Sequence, residues 1–167
     1  MNLPASVPVD GTRRVLFADT VADAAAVTVV EANAAENLSC YITGDGWVPA
    51  GDQAVIVDGR LCSTQDFEQP GRKSKQLTMR YVFNLKNPAD DVARIALAEG
   101  STGYLLNVLQ KDEADGDTIT ADDWYEAWPV KAGEAFVMPP EANAVDRIEQ
   151  KMFITGPVQK FKKFVTA

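Results

Sequence analysis

The longest regular pattern in the chain is LTMRYVFNL, residues 77–85, in which apolar side chains hold every odd position and Thr78, Arg80 and Asn84 fall between them. Alternation with period two puts one set of side chains on one face of an extended strand, so this segment is predicted as a strand with one buried face. Shorter segments read the same way, through alternation or through β-branched and aromatic residues: 15–17, 27–30, 38–43, 54–57, 104–109, 123–130, 135–138, 147–155 and 158–165. In 147–155, Ile148, Met152 and Ile154 alternate against Arg147, Glu149 and Lys151. In 123–130, Trp124, Glu126 and Trp128 share a face, so Glu126 is expected at a wet lumen or at the rim of a contact.

One helix stands out, over about residues 88–99. Asn87 is placed to cap it, Pro88 suits its first position, and Asp90 and Asp91 complement the helix dipole. Val92, Ile95 and Leu97 give it an apolar face and Gly100 a stop. A helical turn at 22–26 is a further option, and 32–36 is ambiguous.

The remaining segments are connections. Residues 1–13 read as an extended arm, because Pro4 and Pro8 oppose helix and Asp10-Gly11 marks a turn. Residues 44–52 read as a polar loop. Residues 60–73, holding Cys62, Phe67, Glu68, Pro70 and Arg72, form a loop longer than the usual connection, which points to a task of its own. Residues 111–123 form an acidic loop. The count is seven to nine strands and one helix. That predicts a mainly β, single-domain sandwich or barrel over 14–167, with one α-helix packed outside and the arm at 1–13.

Composition narrows the chemistry. At 167 residues with 46% hydrophobic content the chain can bury a core without a metal or disulfide staple. It has no apolar run of membrane-spanning length, and its first residues lack the pattern of a secretory signal. The net charge of −8 argues against a duplex-binding face and against an anionic membrane surface. The absence of histidine removes Ser-His-Asp and Cys-His triads and Cys/His zinc sites. Cys40 and Cys62 match no metal spacing and read as semi-buried small hydrophobes. Asp115-Gly116-Asp117 misses a calcium loop where Ile119 and Thr120 stand. Gly44-Asp45-Gly46 lacks the Gly-Lys of a phosphate loop. Paired acids such as Asp122-Asp123 read as solvated, and no cofactor or metal site is expected.

Three stretches resemble one family: LSCYITGDGWVPAGDQAVIVDGRLCSTQDFEQPGRKS at 38–74; LTMRYVFNLKNPADD at 77–91 with LAEGSTGYLL at 97–106; and MPPEANAVDRIEQKMFITGPVQ at 138–159. In order and spacing they resemble the major tail (tail tube) proteins of siphophages of the actinobacteriophage type. The resemblance implies a virion protein, assembled in the host cytoplasm, that is not an enzyme. Such proteins form rings, usually of six subunits, which stack into a hollow tube and conduct the genome during ejection. The implied partners are further copies of the chain, the tape measure protein and other tail proteins. DNA passes through without specific binding, and no membrane is involved. Inter-subunit contacts are then expected at Pro4, Pro8, Cys62, Phe67, Glu68, Pro70 and Arg72. Asp112, Glu113 and Glu126 are the candidate acids for the lumen wall. The alternatives are another virion component, such as a tail terminator, or an unrelated β-sandwich that binds carbohydrate.

Overall fold

The computed structural model describes residues 1–167. Strands hold 46% of the residues and helices 10%, so the protein is mainly β. In chain order the elements are β1 (Arg14–Ala18), α1 (Val29–Ala34), β2 (Glu36–Asn37), β3 (Ile42–Asp58), β4 (Phe67–Val82), α2 (Val92–Ala96), β5 (Thr102–Leu109), β6 (Trp124–Val137), β7 (Arg147–Ile154) and β8 (Gln159–Lys163). Single 3-10 turns occupy Pro88–Asp90 and Glu113–Asp115. All strands join one antiparallel sheet in the order β2-β1-β5-β6-β7-β4-β3. β8 pairs with the start of β6, on residues Trp124, Tyr125 and Ala127. β7 pairs with the later part, from Val130 to Val137.

The single sheet rolls back over itself, so its two ends supply the two layers of a sandwich. The ring of Trp47 on β3 meets the ring of Trp128 on β6 edge-on at 6.1 Å, although two strands separate them in the sheet. Between the layers lies the larger core, drawn from β1 (Val15, Phe17), β4 (Leu77, Met79, Tyr81), β6 (Trp128, Val130) and α2 (Ala93) among others. The opposite face of β1, β5 and β6 carries a second core, in which Leu16, Leu106, Val108 and Tyr125 pack against Val27, Ala32 and Phe164. Tyr125 stacks on Phe164 at 4.4 Å. Its hydroxyl donates to the Ala24 carbonyl and accepts from the Val27 amide, which ties the 22–28 segment down. β1, β5 and β6 are therefore covered on both faces. Each large side chain so buried contributes about 1.5–3 kcal/mol.

Several sequence expectations are corrected here. Residues 27–30 are not a strand, because Thr28 caps α1. Thr28 Oγ1 accepts from the Glu31 amide while Glu31 returns a bond to the Thr28 amide. This Thr-x-x-Glu capping box is written in the sequence and outweighs four β-branched residues. The helix expected at 88–99 is split into the 3-10 turn Pro88–Asp90 and the helix Val92–Ala96. Asp91 divides them with a non-helical backbone, and its buried carboxylate accepts from the Asn84 amide and from Arg94. Residues 38–41 are a turn that sets Leu38 in the core, and β3 begins only at Ile42. The expected loop 44–52 belongs to β3. The expected loop 60–73 is a short tip followed by the first half of β4. Cys40 and Cys62 are exposed rather than semi-buried, because one lies in the turn before β3 and the other in the hairpin tip. A register shift bends β3 between Ile42 and Trp47. Gly46 sits in that bend, where an added Cβ would run into the carbonyl oxygen of Arg80.

Candidate assembly surfaces

β4 pairs with β7 only from Leu77 to Val82, and beyond that its one partner is β3. From Gly51↔Lys75 outward, the β3–β4 hairpin therefore leaves the sheet as a two-stranded ribbon ending at Asp58↔Phe67. Eight residues at 3.3–3.4 Å each make a projection of about 25–30 Å. The pairing register puts Val55, Val57 and Pro70 on one face and Ile56 and Phe67 on the other. Val55, Ile56, Val57 and Phe67 are each more than half exposed, and Leu61 at the tip is fully exposed. A ribbon of two strands has no core of its own. Its apolar side chains on both faces find no cover within the chain. Pro49 lies on the edge strand β3, and Pro70 lies at a register shift past the end of β7. Neither proline interrupts a central ladder, which is where a strand tolerates it.

Residues 1–9 are exposed and hold no helix or strand. Two carbonyls of this arm, those of Pro8 and Val9, accept from the Thr12 hydroxyl. The arm leaves β1 beside the acidic loop, where the Lys111 amide donates to the Thr12 carbonyl. Arg14 anchors the junction through an ion pair with Asp117 at 2.8 Å. Asp112 caps the 3-10 turn through the Ala114 amide, and both Asp112 and Glu113 stay exposed. Behind the loop, the buried Lys111 pairs at 2.9 Å with Asp123, which is partly exposed. Burial works against the Asp123 carboxylate, but bonds from Lys111 and from Thr120 hold it below the usual carboxylate range.

At the far end of β1, a groove of about 700 Å³ opens between α1, α2 and the free side of β2. Its floor is apolar, built from Phe17, Ala18, Ala35, Val92, Ile95 and Ala96. Asp19, Glu31 and Glu36 stand on its lining. Glu31 is held ionised below its ordinary range by the Ala22 amide first and by Thr28.

On the outer face of β4 and β7, Arg80 pairs with Glu149 at 2.7 Å and Asp45 at 3.2 Å, and Arg147 reaches Asp45 and Glu141. Inside the core, every buried side-chain nitrogen and oxygen has a hydrogen-bond partner. The interior polar groups are engaged in holding the fold.

The residues expected at contacts fall into two groups. Pro4 and Pro8 lie on the exposed arm. Cys62, Phe67, Glu68, Pro70 and Arg72 all lie exposed on the hairpin. The candidate lumen acids are not brought together. Asp112 and Glu113 belong to the loop beside the arm. Glu126 is half-buried on β6 and accepts from Asn107 and from the Trp128 indole. Neither the exposure of Val55, Ile56 and Val57 nor the groove is evident from the sequence alone. The sequence signal for the first three is an apolar run, AVIV, which reads as an ordinary strand.

Comparison with known proteins adds the family. The model of the phage tail tube protein family matches residues 1–167. No curated protein matches the chain. A chain in the cryo-EM structure of the anti-feeding prophage baseplate, six-fold symmetrised, aligns with a TM-score of 0.50 at 10% identity, covering 97% of this chain and 98% of that one. A chain in the cryo-EM structure of an extracellular contractile injection system, the PVC sheath-tube complex in its extended state, aligns with a TM-score of 0.48 at 17% identity, covering 93% and 92%. The likeness to the baseplate chain bears on the fold, and the family match spans the chain from end to end: the protein belongs to the phage tail tube protein family.

Proposed function

We propose that the protein is the structural subunit of a long-tailed phage tail tube. Copies close into rings, six to a ring as in the proteins it resembles, and the rings stack into a hollow tube that conducts the genome during ejection. The chain catalyses nothing in this role. Its partners are other copies of itself, the tape measure protein and other tail proteins, and the tube is assembled in the host cytoplasm before it becomes part of the virion. Residues 1–13 act as an arm and 14–167 as the tube domain.

The observation that carries this reading is the hairpin. Its apolar side chains are uncovered on both faces, and an exposed ribbon of that kind is an aggregation hazard unless other chains cover it. A closed ring supplies neighbours on both sides, and head-to-tail stacking of rings makes a filament. Phe67, Pro70, Arg72, Glu68 and Cys62 then lie in contacts between subunits. The net charge of −8 per copy is multiplied around a ring. A lumen lined by acids such as Asp112 and Glu113 repels the phosphate backbone across a narrow water layer, so DNA slides without binding.

Electron microscopy of the concentrated purified protein tests this. Hollow tubes or rings of uniform diameter are expected. A chain that stays monomeric at every concentration, and also when mixed with tail initiation complexes, overturns the reading.

A further inference from the structure

The arm and the groove lie at opposite ends of β1, and each lacks a partner within the chain. Resting on the tube reading above, we infer that the groove between α1 and α2 receives residues 3–9 of the arm of a copy in the adjoining ring.

Three observations identify the occupant. The first is the pattern of the arm. Leu3, Ala5, Val7 and Val9 hold alternate positions, so in an extended chain they share one face. Leu3, Val7 and Val9 are exposed, at 78%, 50% and 66%. The second is the placement of the prolines. Pro4 and Pro8 both fall on even positions, so the missing N–H groups lie along one edge of the extended arm. Leu3, Ala5 and Val7 keep their N–H and C=O groups along the other edge, ahead of the turn in which the Val9 carbonyl accepts from Thr12. That edge is competent to pair with the free side of β2, which closes the sheet next to the groove. The third is charge. Residues 1–9 carry no acidic side chain to be repelled by Asp19, Glu31 and Glu36. Arg13, exposed and outside every ion pair of the chain, stands at the base of the arm as their counter-charge.

The polarity of β1 makes the contact heterologous. The arm leaves before Arg14, and the groove begins at Phe17. Nine extended residues reach about 30 Å. A surface at one end of a subunit that fits a different surface at the other end repeats without closing, as stacking requires.

Two full-chain variants and one cross-link test the docking. Leu3→Asp with Val7→Asp spoils the arm, and Ala34→Glu, at an exposed position lining the groove, spoils the receptor. Each alone is expected to raise the protein concentration needed for tubes at least tenfold, with an unchanged circular dichroism spectrum. Mixed together, they are expected to give paired rings that do not lengthen, since only one junction type retains both halves. For the cross-link, Ala5 is replaced by a photo-reactive phenylalanine analogue in an equal mixture of light and heavy-isotope protein. Products joining residue 5 of one copy to residues 31–36 or 92–96 of another are expected. Cross-links confined to the same copy, or falling outside the groove, overturn the docking. If the native chain assembles and both variants assemble equally well, the docking fails while the tube reading stands. If the native chain never assembles, the tube reading fails with it.

Discussion

Tyr81 donates its phenolic hydrogen to Oε1 of Gln150 at 2.8 Å, inside the larger core and out of reach of water. Gln150 then donates through Nε2 to the carbonyls of Leu97 and Gly133, each at 2.8 Å. One amide thus links β4, the end of α2 and the register shift of β6. Gln150→Leu leaves a phenol and two carbonyls without partners. Each buried orphan costs about 1–3 kcal/mol, so a loss of about 3–5 kcal/mol is expected in a urea titration. Tyr81→Phe removes one bond and is expected to cost about 1–2 kcal/mol.

The same phenol gives a pH signature. Burial pushes the Tyr81 pKa up to about 12 from 10.0. The folded state holds the proton after the unfolded chain has released it, so this contribution is complete below pH 10 and is lost as pH rises from 10 to about 12. Unfolding followed across that window is expected to show a steeper loss of stability in the native chain than in Tyr81→Phe.

Acid acts on the Lys111–Asp123 pair under the acidic loop. Asp123 is held ionised in the folded state, so its contribution is present above the ordinary aspartate pKa and is lost as pH falls below it. Asp123→Asn is expected to flatten the acid limb of a stability–pH curve. Lys111→Met leaves the Asp123 carboxylate with its Thr120 bonds alone and is expected to cost about 1–3 kcal/mol at neutral pH, read by thermal or denaturant unfolding.

The hairpin separates assembly from folding. Ile56 and Val55 are exposed on opposite faces of the ribbon, so Ile56→Asp and Val55→Asp are each expected to change monomer stability by no more than about 0.5 kcal/mol. Each is expected to abolish tubes in electron micrographs. A double mutant that still forms tubes of native diameter would remove the hairpin from the interface.

The Thr28 cap offers a smaller, local test. Thr28→Ala opens the capping box on Glu31 and is expected to cost about 1 kcal/mol. Because α1 forms one wall of the groove, the same variant is expected to weaken stacking more than it weakens ring closure, which light scattering and negative-stain images would separate.

How much of this was legible before the structure depended on whether one face of a segment was buried. β4 from Leu77 onward and β7 carry a core face, and their alternation was read directly. The hairpin has no buried face, so nothing imposes alternation, and Pro49, Gly51 and Pro70 make the first part of β3 and the start of β4 look like loops, while 54–57 reads as a strand. Gln150 sits at a core position and breaks the apolar pattern of β7, because its role is a three-way hydrogen bond that period counting does not see. The capping box at Thr28 was visible in the letters but lost to the β-branched run beside it. The arm and the hairpin, the segments where contacts are expected, are legible in the sequence, while the apolar faces of the ribbon and the groove require the register and the fold.

β1 is five residues long, fully buried, and laddered to β5 at every position from Arg14↔Val108 to Ala18↔Tyr104. With an arm at one end and its receptor at the other, tension along a stack would enter and leave each subunit through this strand. Inter-strand hydrogen bonds lie perpendicular to the strands. A pull along β1 loads all of them in shear together, instead of opening them one after another as a pull on a hairpin end would. This short strand is thus placed to serve as the tie rod of the sheet.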